Sequence, residues 1–172
     1  MSQLKVNSIV PSGGLPAGSD GGGIIQCVQT VKTDAFSTTA NSTWTDITGM
    51  SASITPQSSS NKILVHVKLE VSDSSAEIQV YRLLRGGSVI SASTAGSSEN
   101  GFAMIDTDAY TSGIRSTDAC ITCFLDAPST TSSTTYKVQV WKNAAGTMWL
   151  NRRSLNAGVG LVSMITLMEV SG

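Results

Sequence analysis

The stretch KILVHVKLEV, residues 62–71, decides the fold. Ile63, Val65, Val67, Leu69 and Val71 share one register, while Lys62, His66, Lys68 and Glu70 share the other. A period of two is the signature of an extended chain, whose successive side chains point to opposite faces. The segment therefore reads as a strand with one face in a core and the other toward water.

Working outward, similar apolar runs occupy 24–31, 51–55, 77–84, 88–91, 120–125, 135–141 and 160–170, with shorter strands expected at 44–47 and 147–151. Between them lie 34–42, 56–61, 85–87, 92–101, 127–133 and 143–146, rich in the Gly, Pro, Asn and Ser that turns favour. Arg85-Gly86-Gly87-Ser88 has the composition of a tight hairpin turn. No window offers three turns of helical stripe with a cap, so the expectation is an all-β, antiparallel β-sandwich of two sheets, a jelly roll.

The 172 residues suffice for one sizeable core. Charged residues make up 13% of the chain, about half the usual share, and Ser, Thr and Gly are abundant, which suits an exterior or adhesive protein. Eleven Lys and Arg against twelve Asp and Glu leave a net charge of −1, without the basic excess that nucleic acid or anionic lipid demands. No segment approaches about 20 consecutive apolar residues, so no membrane insertion and no secretory leader are expected, and synthesis is placed in the cytoplasm. Cys27, Cys120 and Cys123 are odd in number and are read as reduced.

Three parts are expected along the chain. Residues 11–23, PSGGLPAGSDGGG, form a linker of glycine and proline with little to bury. It sets apart residues 1–10, where Leu4, Val6, Ile9 and Val10 carry too little apolar surface to fold alone and suit an extended anchor that docks elsewhere. Residues 24–172 are the β domain. In its last run, Leu161, Ile165 and Leu167 fall on one face and Val162, Met164, Met168 and Val170 on the other. Apolar residues on both faces suit a strand that meets a second subunit as well as a core, and Met packs adaptively there. A loop laid over the outer face explains the same pattern. Leu161, Ile165 and Leu167, with Trp141, are the candidate interface residues.

No catalytic residue, metal or cofactor is expected. His66 is the only histidine and sits on the polar register of its strand, with no Gly-x-Ser-x-Gly elbow to serve. Cys120-Ile121-Thr122-Cys123 is formally Cys-x-x-Cys, but residues three apart in a strand face opposite ways and no second pair completes four zinc ligands. Cys123 and Cys27 read as small buried hydrophobes. Asp106, Asp108 and Asp118, with Glu99, lack the ligand count and spacing of a calcium loop, and no paired acid marks a glycosidase. The glycines at 13–14 and 21–23 lack the Lys-Ser or Lys-Thr of a phosphate loop. Trp44, Trp141 and Trp149 are large aromatics in an aromatic-poor chain. Trp141 lies opposite Tyr136, Val138 and Val140, while Trp149 with Arg152 and Arg153 is a candidate for ligand contact.

The opening Leu4-Lys5-Val6-Asn7-Ser8-Ile9-Val10, the Pro-Ser-Gly-Gly spacer and Gly23-Ile24-Ile25-Gln26-Cys27-Val28-Gln29 resemble the start of small virion proteins of marine tailed bacteriophages, especially those of cyanobacteria. Thr45-Asp46-Ile47-Thr48-Gly49, Ser53-Ile54-Thr55-Pro56, the following Ser-Ser-Ser-Asn-Lys-Ile-Leu-Val and the Arg82-Leu84-Arg85-Gly86 hairpin are similar to the body of tail-fibre and capsid-decoration modules. The likeness spans nearly the whole chain and is least at about residues 92–117. It implies a virion structural protein, homotrimeric through a jelly roll like those of complement-type and tumour-necrosis-factor-type modules. The first segment would anchor it to other virion proteins. Two other readings stand beside this one: a module that binds host-surface polysaccharide, and, more remotely, a glycan-degrading enzyme.

Overall fold

A computed structural model describes residues 23–75, 77–96, 98–106, 118–153 and 156–171. Thirteen strands are formed among them: β1 (Ile24–Lys32), β2 (Phe36–Thr38), β3 (Thr45–Ile54), β4 (Lys62–Asp73), β5 (Ile78–Arg85), β6 (Ser88–Ser91), β7 (Ala103–Asp106), β8 (Asp118–Asp126), β9 (Thr134–Lys142), β10 (Met148–Leu150), β11 (Arg152–Arg153), β12 (Asn156–Gly160) and β13 (Ser163–Val170). The described residues contain no helix, and every strand pairing is antiparallel. Residues 1–10, with the anchor candidates Leu4, Val6, Ile9 and Val10, lie outside the described residues, as do Asp108 and most of the linker.

One sheet runs β1-β13-β4-β10-β2, with β8 on the other side of β4; a second runs β3-β9-β5-β6, with β7 also on β5; β11 and β12 form a two-stranded ribbon. The stretch that decided the fold is β4, the strand on which β8, β13 and β10 all converge. Its inward residues Ile63, Val65, Val67 and Leu69 are fully buried, and its partners along β13, Ile165 and Leu167, are buried with them. From the second sheet Tyr81, Leu83, Tyr136, Val138 and Val140 join the same core, so both sheets enclose one interior. Burying a side chain of this size contributes about 1.5–3 kcal/mol, which is why the inward register tolerates so few polar atoms.

Where polar groups enter that interior they are paired, as burial without partners would require. Lys142 continues the inward register of β9 after Val140 and is fully buried, 3.0 Å from the equally buried Glu77 and bonded to the carbonyls of Ala144 and Gly146. Glu169 of β13 accepts from Asn61 (2.6 Å), Gln26 (2.5 Å) and the Gln57 N–H (2.7 Å). Burial pushes its carboxyl up, but these hydrogen bonds together hold it below the ordinary value. Asn151, in the left-handed region at φ 60, donates to the carbonyl of Lys32 and accepts from Ser163, tying β1 to β13.

The strand expectations hold for most runs and fail in several places, among them β11 and most of β12, where no strand was expected. Strands form inside segments read as turns or left unread: β2 within 34–42, and β7 just after 92–101. Both are edge strands of three or four residues, too short to show a period. The runs 44–47 and 51–55 are one strand, bent between Asp46 and Ser51 by a register shift at Gly49, whose φ is 85. Residues 160–170 split at 161–162, so that the first part pairs with β11 and the second with β1 and β4. Gly86 at φ 57 opens the two-residue turn between β5 and β6, as the Arg-Gly-Gly-Ser reading required.

Candidate functional site

Four strands of the first sheet, β8-β4-β13-β1, present a face away from the core. The register aligns its side chains in three rows: Leu125, Leu64, Met168 and Cys27; Cys123, His66, Thr166 and Gln29; Ile121, Lys68, Met164 and Val31. Ile121 is 59% exposed, Leu125 50% and Val31 48%, and Ile25 and Val162 extend the surface at its margins. With strands about 4.8 Å apart and paired residues about 6.8 Å apart along a strand, the rows cover roughly 400 Å² in projection. That is the size of the largest patch on a typical monomer, and such patches tend to be functional. Four of the twelve are polar, His66, Thr166 and Gln29 in the middle row and Lys68 in the third; Gln29 bonds Thr166 at 2.8 Å, and Lys68 pairs with Glu70 at 2.7 Å.

This surface corrects the interface candidates. Ile165 and Leu167 have no exposed area; their register faces the core, and the apolar face open to contact is that of Met164 and Met168. Alternation in the sequence separated these two sets without saying which was inside, because both are apolar. Leu161 is half-buried in the connection between β12 and β13, where its N–H bonds the Asn151 carbonyl. Trp141 faces outward from its sheet as its register predicted, but that is the other sheet. The four candidates therefore do not form one surface. Cys123 and Cys27 are likewise exposed rather than buried, since both lie on the outward rows.

The second sheet has its own outer face. Thr45 opposite Val140 sets Trp44 beside Trp141, and Trp141 pairs across β5 with Val80, which pairs with Met104. The adjacent row is Asp46, Gln139 and Arg82. Arg82 donates to the Gln139 side-chain oxygen Oε1 (2.9 and 2.7 Å), Gln139 Nε2 donates to Asp46 (2.6 Å), and Lys137 reaches the other Asp46 oxygen (2.7 Å). The bond from Lys137 is the main cause that holds the Asp46 carboxyl below its ordinary range. The Arg82 guanidinium lies 3.9 Å over the Trp44 ring. Beyond Val80 and Met104 opens a cavity of about 310 Å³, walled also by Phe102, Ser93, Glu99 and Asn100.

Trp149, Arg152 and Arg153, the candidates for ligand contact, lie elsewhere. Trp149 pairs with Ser72 and Ser37 on the first sheet, and Arg152 covers its ring at 4.0 Å. One face of the ring is thus covered by the chain's own guanidinium. Arg153 is exposed.

The sites weighed for chemistry remain scattered. His66 stands between Cys123 and Thr166 on the outward face of the first sheet. Cys120 pairs with Leu69 and Cys123 with His66, register positions of opposite parity. Asp106 ends β7, Asp118 begins β8, and Glu99 lines the cavity of the second sheet. Among the described residues no three His, Cys, Asp or Glu gather as metal ligands would, and no helix is long and apolar enough to cross a membrane.

Fold and surfaces together define an all-β protein of antiparallel sheets with one shared core and two patterned outer faces, one of mainly aliphatic and sulfur side chains around a polar row and one aromatic and polar. No protein-family model and no curated protein matches the sequence.

Proposed function

We propose that this protein is a non-enzymatic structural subunit of a virion, a tail-fibre or capsid-decoration module. Its β domain is a jelly-roll sandwich that assembles as a homotrimer, and its first ten residues hold it to other virion proteins. The observation that carries the reading is the outer face of β8-β4-β13-β1, two mainly apolar rows on either side of a row that holds His66, Thr166 and Gln29. About 400 Å², polar members included, is half of what a standard interface buries per partner, so the face suits the central part of a contact whose rim supplies the rest. Its single ion pair, Lys68 with Glu70, is satisfied within the subunit and adds little desolvation cost to association. The resemblance of the sequence to phage virion modules supports the setting, and the scattered His66 and carboxylates support the absence of catalysis.

Light scattering on the purified chain, with and without residues 1–10, tests both halves. A trimer in each case, together with failure of the shortened chain to join particles, is the expected result. A monomer in both cases, or continued incorporation of the shortened chain, overturns the corresponding half.

A further inference from the structure

We infer that the outer face of the second sheet is a carbohydrate-binding surface that takes a short saccharide chain across β9, β5 and β7, with one sugar residue in the cavity beyond Met104. The inference is independent of the oligomer reading, since it uses the opposite sheet.

Three observations converge on it. First, Trp141, Val80 and Met104 align in one apolar row across the strands, with Met104 62% exposed, Trp141 half-buried and Val80 buried between them at 6%. A pyranose ring is on the order of one strand spacing wide, about 4.8 Å, so a short saccharide chain laid along the row reaches from Trp141 to Met104 over the buried Val80. Their C–H faces have an aromatic and an aliphatic floor to rest on.

Second, the neighbouring row is made of planar polar groups held in place by one another: the Arg82 guanidinium stacked on Trp44, the Gln139 amide and the Asp46 carboxylate. Groups of this kind recognise vicinal hydroxyls, and because their rotamers are already set, little ordering entropy is lost on binding.

Third, the row ends in a cavity of about 310 Å³ with mixed walls, apolar at Val80, Phe102 and Met104, polar at Ser93, Glu99 and Asn100. That volume lies at the lower end of small-ligand sites, about 300 Å³ upward. The cavity is also built rather than accidental. Asn100 closes the loop by accepting from the Gly96 N–H at 3.0 Å and donating to its carbonyl. Phe102 N–H bonds the Tyr81 carbonyl at 2.8 Å, and a Cβ at Gly101 would stand 2.2 Å from that same oxygen, so only glycine lets the wall lie this close to β5.

The chemistry disfavours other ligands. The net charge of −1 gives no counterion release to drive binding of a nucleic acid, and the open, half-polar row does not enclose a purely apolar molecule.

The test is titration of the purified full chain with soluble hexasaccharides of glucose, mannose, galactose and N-acetylglucosamine, followed by tryptophan fluorescence. The expected result is saturable binding of at least one. It should weaken at least about tenfold in Trp141→Ala, recover most of its strength in Trp141→Phe, and stay unchanged in Trp149→Phe, whose ring is on the other sheet. Circular dichroism checks that each variant is folded. If Trp141→Ala unfolds, Glu99→Gln in the cavity decides, with a weakening of similar size expected. No binding of any of the four at about 10 mM, or binding that survives both Trp141→Ala and Glu99→Gln, overturns the inference. Light scattering on the same samples reports assembly separately, so a monomer that binds sugar refutes the oligomer alone.

Discussion

Replacing Ile121 with Glu should abolish assembly while leaving the subunit folded. Ile121 is the most exposed apolar residue in the three rows of β8-β4-β13-β1, at 59%, and its cross-strand partner is Lys68. Within one subunit a carboxylate there meets that ammonium across the pair, so the fold should change by less than about 1 kcal/mol. Between subunits the effect is larger. Full burial of an isoleucine is worth about 1.5–3 kcal/mol, and the exposed part recovers roughly 1–2 kcal/mol when a partner covers it. Losing that amount weakens each contact about five- to thirtyfold, and taking the carboxylate out of water costs several kcal/mol more. A face of this size assembles with modest affinity to begin with, because association costs about 4–15 kcal/mol before any contact is counted. The variant should therefore be monomeric by light scattering at micromolar concentrations where the parent is oligomeric, with an unchanged far-ultraviolet spectrum. An oligomer of the same mass and the same concentration dependence would refute the placement of the contact on this face.

Two further predictions concern the polar groups sealed inside the domain. Lys142→Met leaves the fully buried Glu77 carboxylate without its ammonium and should cost about 3–5 kcal/mol in a urea melt; adding Glu77→Gln should restore part of that loss, and strict additivity of the two would contradict the pairing. Glu169 is held below the ordinary carboxyl value of 4.5, so its contribution is present above that value and is lost as pH falls through the folded-state value. The melting temperature of the parent should drop on acidification below about pH 4.5, and that of Glu169→Gln should start lower at neutral pH and fall less steeply. Parallel acid limbs would show that the stability lost in acid comes from other carboxylates, such as Asp46.

The strands were legible because their signal is local. Alternation in 62–71, 135–141 and 24–31 needs only the two-residue period of an extended chain, and the hairpin at Gly86 needs only a residue that accepts positive φ. Lys142 escaped this reading. A lysine after Val140 looks like the polar end of a strand, and nothing nearby in sequence announces that Glu77, some 65 residues away, will meet it in the interior. The candidate site was legible in its parts and not in its arrangement. Trp141 was correctly turned away from Tyr136, Val138 and Val140, yet the residues that share its face, Trp44, Arg82 and Met104, come from the residue before β3, from β5 and from β7.

By itself the sequence determined the all-β class, the positions of the main strands, the near-neutral net charge, and the outward placement of His66 and Trp141, since each follows from composition or from a two-residue period. Only the tertiary structure decided which of two apolar faces of β13 is core, that Arg152 occupies the ring of Trp149, that both Cys27 and Cys123 look outward, and which side chains share a row. Those facts depend on pairing between strands far apart in the chain. A period of two says that faces alternate, and only the sheet packed against them says which one is inside.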